Sequence, residues 1–278
     1  MKIALFHNYY KQRGGEDTVF ELEIAALQAH GHTVIPYTVH NSQAFAKNSL
    51  SQKIRGALDA PHNHSSQAAI GTFLAQHRPD ISHVHNWFPL LSPSIYAAHL
   101  QANIPVVQTL HNYRLGCAAA TYYRNGACCD ACRPTNNLPA IRHRCYNNST
   151  AGSLVWKRII DRGWKQGTFR HAVSHYISPS REMRRKHIDM GISPDRITHV
   201  PNACLDPQDI PAADHQHLNP NQQNICFAGR LVPEKGAHIL IRAWKQMRTP
   251  RRSNRRLTII GSGPQAASLH KLARGDAS

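Results

Sequence analysis

The apolar positions of this chain fall into short blocks separated by polar loops. Residues 2–7 (KIALFH), 33–39 (TVIPYTV), 81–85 (ISHVH), 104–110 (IPVVQTL), 175–178 (HYIS), 197–200 (ITHV), 225–228 (ICFA) and 257–260 (LTII) are too brief for helices and read as strands. The first block and the one at 225–228 are continuous enough to predict strands buried on both faces. Between them the period changes to that of a helix. Val19, Phe20, Leu22, Ile24, Ala25 and Leu27 mark one helix, which Gly31 stops. Further helices are predicted over 68–76, 94–102, 153–170, 180–191, from Ala237 onward and from Gln265 onward. Residues 41–66 are polar and weakly patterned. Strand and helix therefore alternate, which predicts an α/β fold on a parallel sheet. Residues 206–223, with Pro207, Pro211 and Pro220, read as a linker between a first domain over 1–205 and a second over 224–278.

Three loops carry candidate chemistry. In FAGRLVPEKG, Gly229, Arg230, Pro233, Lys235 and Gly236 lie between a strand and a helix N-terminus. Unpaired amides and a positive partial charge gather at such a point. An arginine fork and a lysine point charge beside them suit a phosphorylated ligand; a plain turn with two solvated cations is the other reading. The first strand exits into Gly14, Gly15 and Glu16. This is not the GxGxxG dinucleotide fingerprint, and the glycine pair also suits a simple tight turn. The strand at 104–110 exits into His111-Asn112-Tyr113-Arg114, at the strand end where open α/β sheets collect ligands. His85 ends a neighbouring run.

The 278 residues suffice for two ordinary domains, and 41% apolar content supports a core. A formal net charge of +17 favours acidic partners: nucleic acid, anionic lipid or phosphorylated small molecules. The charge is scattered, apart from runs at 184–186 and 251–256. No signal peptide and no span-length apolar stretch is visible, which predicts a cytoplasmic protein with reduced cysteines. The 153–170 helix is basic, with Trp156, Ile159, Ile160, Gly163, Trp164 and Gly167 on one face. Such a helix either packs on the sheet or lies on the inner face of an anionic membrane.

Five of the seven cysteines fall in 117–145, inside an insertion at about 115–147. Cys117, the Cys129-x2-Cys132 pair and Cys145 have the composition of a tetrahedral thiolate site, with Cys128 as an extra member. A structural zinc or thiol cluster and ordinary reduced cysteines are both open. Four thiolates leave no open position, so such a zinc would not be catalytic. Charge and cysteines together also admit a different class, a basic non-catalytic zinc protein bound to nucleic acid.

FAGRLVPEKG resembles the opening of the donor half of GT-B glycosyltransferases of family 4, the "glycosyl transferases group 1" domain. The Gly14–Glu16 loop, the His111-Asn112 pair, PNACLD at 201–206 and GSGP at 261–264 are similar to further family motifs. The resemblance implies a Rossmann-like N-terminal, acceptor-side domain and a nucleotide-sugar donor domain. It implies sugar transfer with retention from a nucleotide sugar to a glycan or lipid-linked acceptor in surface polysaccharide or lipopolysaccharide synthesis. No cofactor is needed for that chemistry and no nucleic-acid partner is expected. It assigns Arg230 and Lys235 to the donor pyrophosphate, Gly14, Gly15 and Glu16 to bound sugar and phosphate, Gly261 and Gly263 to the nucleotide border, and His111 to the transferred sugar. His85 would border the acceptor side. Ala203 stands where the family hinge has glycine. The family's E-x7-E signature is absent, since the last glutamate is Glu234. The resemblance therefore covers the first domain and the opening of the second, and implies a truncated member with little or no activity.

Overall fold

The computed structural model describes residues 1–10, 12–41, 56–132, 136–204, 222–247 and 254–274. Most of the linker, the last two residues of the PNACLD segment, residues 42–55 and part of the 251–256 arginine run lie outside the described residues. The chain divides into two units: 1–122 with 129–206, and 207–278 with the hairpin 123–128.

The first unit is a six-stranded parallel sheet. Its strands are β1 (Lys2–Tyr9), β2 (Thr33–His40), β3 (Ile81–Asn86), β4 (Val106–Thr109), β7 (His175–Ser178) and β8 (Ile197–His199), in the order β2-β1-β3-β4-β7-β8. β5 (Tyr123–Arg124) and β6 (Ala127–Cys128) form the separate hairpin. Strand order reverses between β1 and β3, so the crevice at their carboxyl ends is the switch point of the sheet. Pro36 sits within β2, which tolerates it because β2 is an edge strand.

Helices α1 (Gly15–Ala29), α2 (His64–His77), α3 (Ser94–Ala102), α4 (Leu138–Arg142), α5 (Thr150–Lys165) and α6 (Arg181–Asp189) belong to this unit. The main core joins Phe6, Val84, Ile95, Tyr96, Trp156 and Phe169. A smaller cluster of Ile3, Leu5 and Phe20 lies under α1.

α5 settles the two readings of the tryptophan helix. Trp156, Ile159, Ile160, Gly163 and Trp164 are buried in the main core. The apolar face that would have lain on a membrane is covered by the rest of the main core, with α4 and the turn at 168–172 among its neighbours. Gly163 is there for packing: a Cβ would stand 2.2 Å from the Phe169 ring. Among the described residues, no helix is long and apolar enough to cross a membrane. Ala203 does not adopt positive φ, so alanine in place of the hinge glycine is unstrained.

The second unit pairs β9 (Gln223–Ala228) with β10 (Arg255–Ile260) in parallel, carrying α7 (Ala237–Gln246) and α8 (Ala266–Ala273). Leu231, Ala237, Ile241 and Leu269 form its core. The expectation that β9 is buried on both faces is corrected. Its residues are mostly exposed, because β10 is its single described neighbour and the apolar run has one covered flank.

Candidate functional site

The carboxyl ends of β1, β3 and β4 build the floor of a site in the first unit. β1 delivers His7 and Asn8, both fully buried. His7 Nε2 lies 2.7 Å from Oδ1 of Asp17 on α1. Asp17 also accepts from the Gly14 amide at 2.8 Å, so one first-turn carboxylate caps α1 and holds a ring on the sheet. Burial drives the His7 pKa below its usual value, against the opposing pull of Asp17. Asn8 donates to Asn41 Oδ1 at 3.1 Å and accepts from the Leu90 amide at 3.1 Å. Asn86, ending β3, donates to the Asn8 carbonyl at 2.7 Å and accepts from the Phe88 amide at 3.0 Å. These amides fix the two exit loops against each other.

His111 follows β4 by two residues, and its Nε2 lies 3.1 Å from Nδ1 of His85. The rings stack at 5.2 Å between centroids. Burial lowers the pKa of His85 to about 4 and of His111 to about 3, with neighbouring histidines adding to the shift. Both rings are therefore neutral at pH 7. His83, two residues before His85 on β3, places Nδ1 2.5 Å from Glu23 Oε1 and Nε2 2.8 Å from Thr109 Oγ1. Burial alone would raise the Glu23 pKa, but the His83 and His85 rings facing the carboxylate outweigh it and hold the carboxyl well below its usual range. Among the described residues, Glu23, His83 and His85 are the group whose metal-binding atoms all lie within 4.8 Å of one another.

A cleft opens above this floor, lined by Asn86, Phe88, His111, Asn112 and Arg114 among others. The Arg114 guanidinium sits 4.8 Å from the Phe88 ring centroid, and its buried Nε has no hydrogen-bond partner among the described residues. The loop is gripped from α5: Trp156 Nε1 donates to the Arg114 carbonyl at 3.0 Å, and Trp164 Nε1 to the Leu115 carbonyl at 2.8 Å.

Gly14 and Gly15 enter α1 beside the buried Asp17. Neither has positive φ, and a Cβ at either would meet nothing within 4 Å. Nothing in the local backbone therefore demands glycine there. Glu16 is half-buried in the same turn.

In the second unit, Arg230 and Lys235 are exposed on the loop before α7. Gly236 takes φ +76 and serves as N-cap of α7 without any side-chain cap. Gly261 and Gly263 have a structural duty. Their φ values are +150 and +155, and a Cβ would lie 1.9 Å from the Gly229 carbonyl oxygen and 2.5 Å from that of Leu231. They let the loop after β10 close on the loop after β9, where the Leu231 amide bonds the Ser262 carbonyl at 2.8 Å and Gln265 returns a bond to Leu231 at 3.0 Å.

The cysteines are brought near one another but not into a ligand cage. Burial, and next the adjacent Cys117, push the Cys132 thiol up to about 11, with Cys145 and Cys129 also contributing. Cys132 and Cys145 pack against the main core. No disulfide is present among the described residues. Cys117, Cys129, Cys132 and Cys145 supply no set of three sulfurs within 4.8 Å.

The sequence reading named His111 and His85 and missed Glu23, Asp17, His7, His83 and Asn86. Asp17 and Glu23 lie three residues either side of Phe20 on α1, a spacing that alone does not tell a site carboxylate from a solvated one.

Residues 13–204 match the model of Glycosyltransferase Family 4, and residues 210–275 match Glycosyl transferases group 1. No curated protein matches the chain. Among solved structures, Anabaena HepE (Alr3699) in complex with UDP matches with a TM-score of 0.51 at 16% identity, over 98% of this chain and 65% of HepE. HepE with UDP and glucose gives a TM-score of 0.51 at 17% identity, and HepE with UDP-glucose 0.51 at 16%, with the same coverage. The chain thus spans about 65% of the length of that structural relative. At this identity the likeness speaks for the fold, a GT-B one. The family match spans more than half of the sequence, including the β3 and β4 exits that build the cleft, and on that ground the chain belongs to Glycosyltransferase Family 4.

Proposed function

We propose that this protein belongs to a machinery that moves a sugar, with retention, from a nucleotide-sugar donor to a glycan or lipid-linked acceptor in surface polysaccharide or lipopolysaccharide synthesis. The observation that carries the reading is His111, neutral and positioned at the carboxyl end of β4 in a cleft between the β3 and β4 exits, next to the sheet's switch point. A neutral imidazole can hydrogen-bond a sugar hydroxyl without placing a second positive charge beside a developing oxocarbenium. Residues 1–205 serve as the acceptor-side domain and 224–278 as part of the donor domain.

Each unit has its own task. In the first, His111 orients the sugar, while the glycine-lined entrance of α1 with Glu16 leaves backbone room for a bound group. In the second, Arg230 and Lys235 face solvent beside the uncapped α7 N-terminus, a setting suited to a diphosphate leaving group. Charge building on that group would be met by fixed cations and helix amides. Support for a nucleotide-sugar donor comes from family membership and from the UDP and UDP-glucose held by HepE. The protein works in the cytoplasm, and the cysteine segment has a structural role.

Titration calorimetry with UDP tests the reading on this 278-residue chain. Charge-assisted hydrogen bonds contribute about 1.5–3 kcal/mol each. Arg230→Ala and Lys235→Ala should therefore each weaken UDP by roughly 10- to 150-fold. His111→Ala should leave UDP affinity within about twofold, because His111 addresses the sugar. Equal UDP affinity in all four proteins would sink the assignment.

A further inference from the structure

The mechanism proposed above uses His111 but leaves unexplained the half-buried carboxylate one ring behind it. Glu23 has one sheet-facing side chain and touches two histidines of β3. Its Oε1 is 2.5 Å from His83 Nδ1, and its Oε2 is 3.4 Å from His85 Nε2, an ion-pair distance at which that buried nitrogen makes no hydrogen bond among the described residues. The opposite nitrogen of His85, Nδ1, is 3.1 Å from His111 Nε2. The opposite nitrogen of His83, Nε2, is 2.8 Å from Thr109 Oγ1. Carboxylate, ring and ring thus form one line from α1, through β3, to the residue at the mouth of the cleft.

Proton bookkeeping along this line has one solution that turns no bare nitrogen lone pair toward the carboxylate. An ionised carboxylate only accepts, so each nitrogen facing it carries the hydrogen. His83 is then protonated at Nδ1, and its bare Nε2 accepts from the Thr109 hydroxyl. His85 is protonated at Nε2, and its Nδ1 is a bare acceptor. The nitrogen facing that acceptor must be a donor, so His111 carries its single proton on Nε2. His111 Nδ1 is left as a lone pair.

We infer that Glu23 is a positioning residue: acting through His85, it fixes His111 as the Nε2–H tautomer and so makes the free edge of His111 a hydrogen-bond acceptor. On the reading given under Proposed function, the group that meets His111 is therefore a hydroxyl that donates, and not a carbonyl or ether oxygen. The inference adds a specificity element to the site: a deoxy sugar at that position would lose the contact, while an oxidised one would repel it. It also gives a reason for a half-buried glutamate on a helix face otherwise occupied by Phe20, Ile24 and Leu27.

Long-range proton–nitrogen correlation spectra of the 278-residue chain, labelled with ¹⁵N histidine, read the tautomers directly without a substrate. His111→Gln and His85→Gln spectra assign the two rings. The expected result is Nε2–H for both His85 and His111 at pH 7.5. In Glu23→Gln, the side-chain amide can turn its NH2 toward His85, and the His111 signal should shift to Nδ1–H or to a mixture. Nδ1–H at His111 in the wild type, or an unchanged His111 signal in a folded Glu23→Gln protein, would overturn the inference. Should Glu23→Gln not fold, the wild-type tautomers alone decide. One equivalent of Zn²⁺ is the remaining arm. Zinc that moves His83 and His85 together and survives desalting would make these residues a metal site and end the relay. UDP affinity is read in parallel: tautomers as expected with no UDP binding would leave the relay standing and remove the donor assignment.

Discussion

Buried neutral histidines should make the first unit acid-sensitive, and His99 allows the effect to be isolated. His99 lies on α3, 1% exposed, with Nδ1 2.7 Å from the Ile95 carbonyl oxygen. That contact requires the proton on Nδ1. Nε2 is buried with no partner among the described residues, and the Phe6 ring stands edge-on at 5.0 Å. A second proton would create a buried cation with nothing to receive its new N–H, so burial lowers the pKa to about 4. The unfolded chain titrates near 6.5. Because the folded value is the lower one, the stabilisation is complete above pH 6.5 and is lost as pH falls toward 4. Between those values the unfolded state binds one more proton, a slope of about 1.4 kcal/mol per pH unit, or about 2 kcal/mol lost from pH 6.5 to 5. His99→Asn keeps an amide donor for the Ile95 carbonyl and does not titrate. Urea denaturation at pH 5 to 8 should show a penalty for the variant that is constant above pH 6.5 and shrinks below it, the variant's slope there being shallower than wild type by about 1.4 kcal/mol per pH unit. Parallel curves for the two proteins would refute the reasoning. His187 on α6 is built alike, with Nδ1 2.8 Å from the Met183 carbonyl oxygen, an Nε2 without a hydrogen-bond partner among the described residues and a pKa of about 4, so His187→Asn should remove a second share.

Other expectations concern single contacts. Asp17→Ala removes both the α1 cap and the partner of buried His7, a loss of about 2–4 kcal/mol; Asp17→Asn, which can still accept from the Gly14 amide, should lose less in the same chemical denaturation. Gly261→Ala forces a Cβ onto the Gly229 carbonyl at a backbone angle that disfavours side chains, costing roughly 2–5 kcal/mol. Hydrogen exchange should then show lost protection at the Gly229 and Leu231 amides, and retained protection there would count against the close approach. Iodoacetamide at pH 8 should label exposed Cys128, Cys204 and Cys226 before Cys132, whose thiol is held protonated. Protection of Cys117, Cys129, Cys132 and Cys145 that a chelator lifts would mark them as metal ligands.

Much of the parallel sheet could be read from its apolar runs, because buried parallel strands need little else to announce them. His111 was legible for the same reason: the run IPVVQTL stops at it, and strand ends of such sheets face ligands. Glu23 was not legible. FELEIAAL alternates acidic and apolar residues, and helical periodicity assigns a glutamate there to solvent. Its true partners, His83 and His85, lie about sixty residues further on, and a single sequence carries no sign of that pairing. β9 failed differently: ICFA has the composition of a doubly buried strand, but coverage depends on neighbouring strands and not on the segment itself. Gly261 and Gly263 were picked out by resemblance, yet the close approach of two loops explains them before any nucleotide is invoked.

The indoles of Trp156 and Trp164 reach back 42 and 49 residues to hold the backbone just past His111. The loop after His111 is therefore only as well formed as a helix translated much later. On a ribosome, the His111 pocket stays unfinished until α5 has emerged. A proteolytic or engineered fragment ending anywhere between the hairpin and Trp164 would keep every strand that points at the pocket and still lack the pocket's shape.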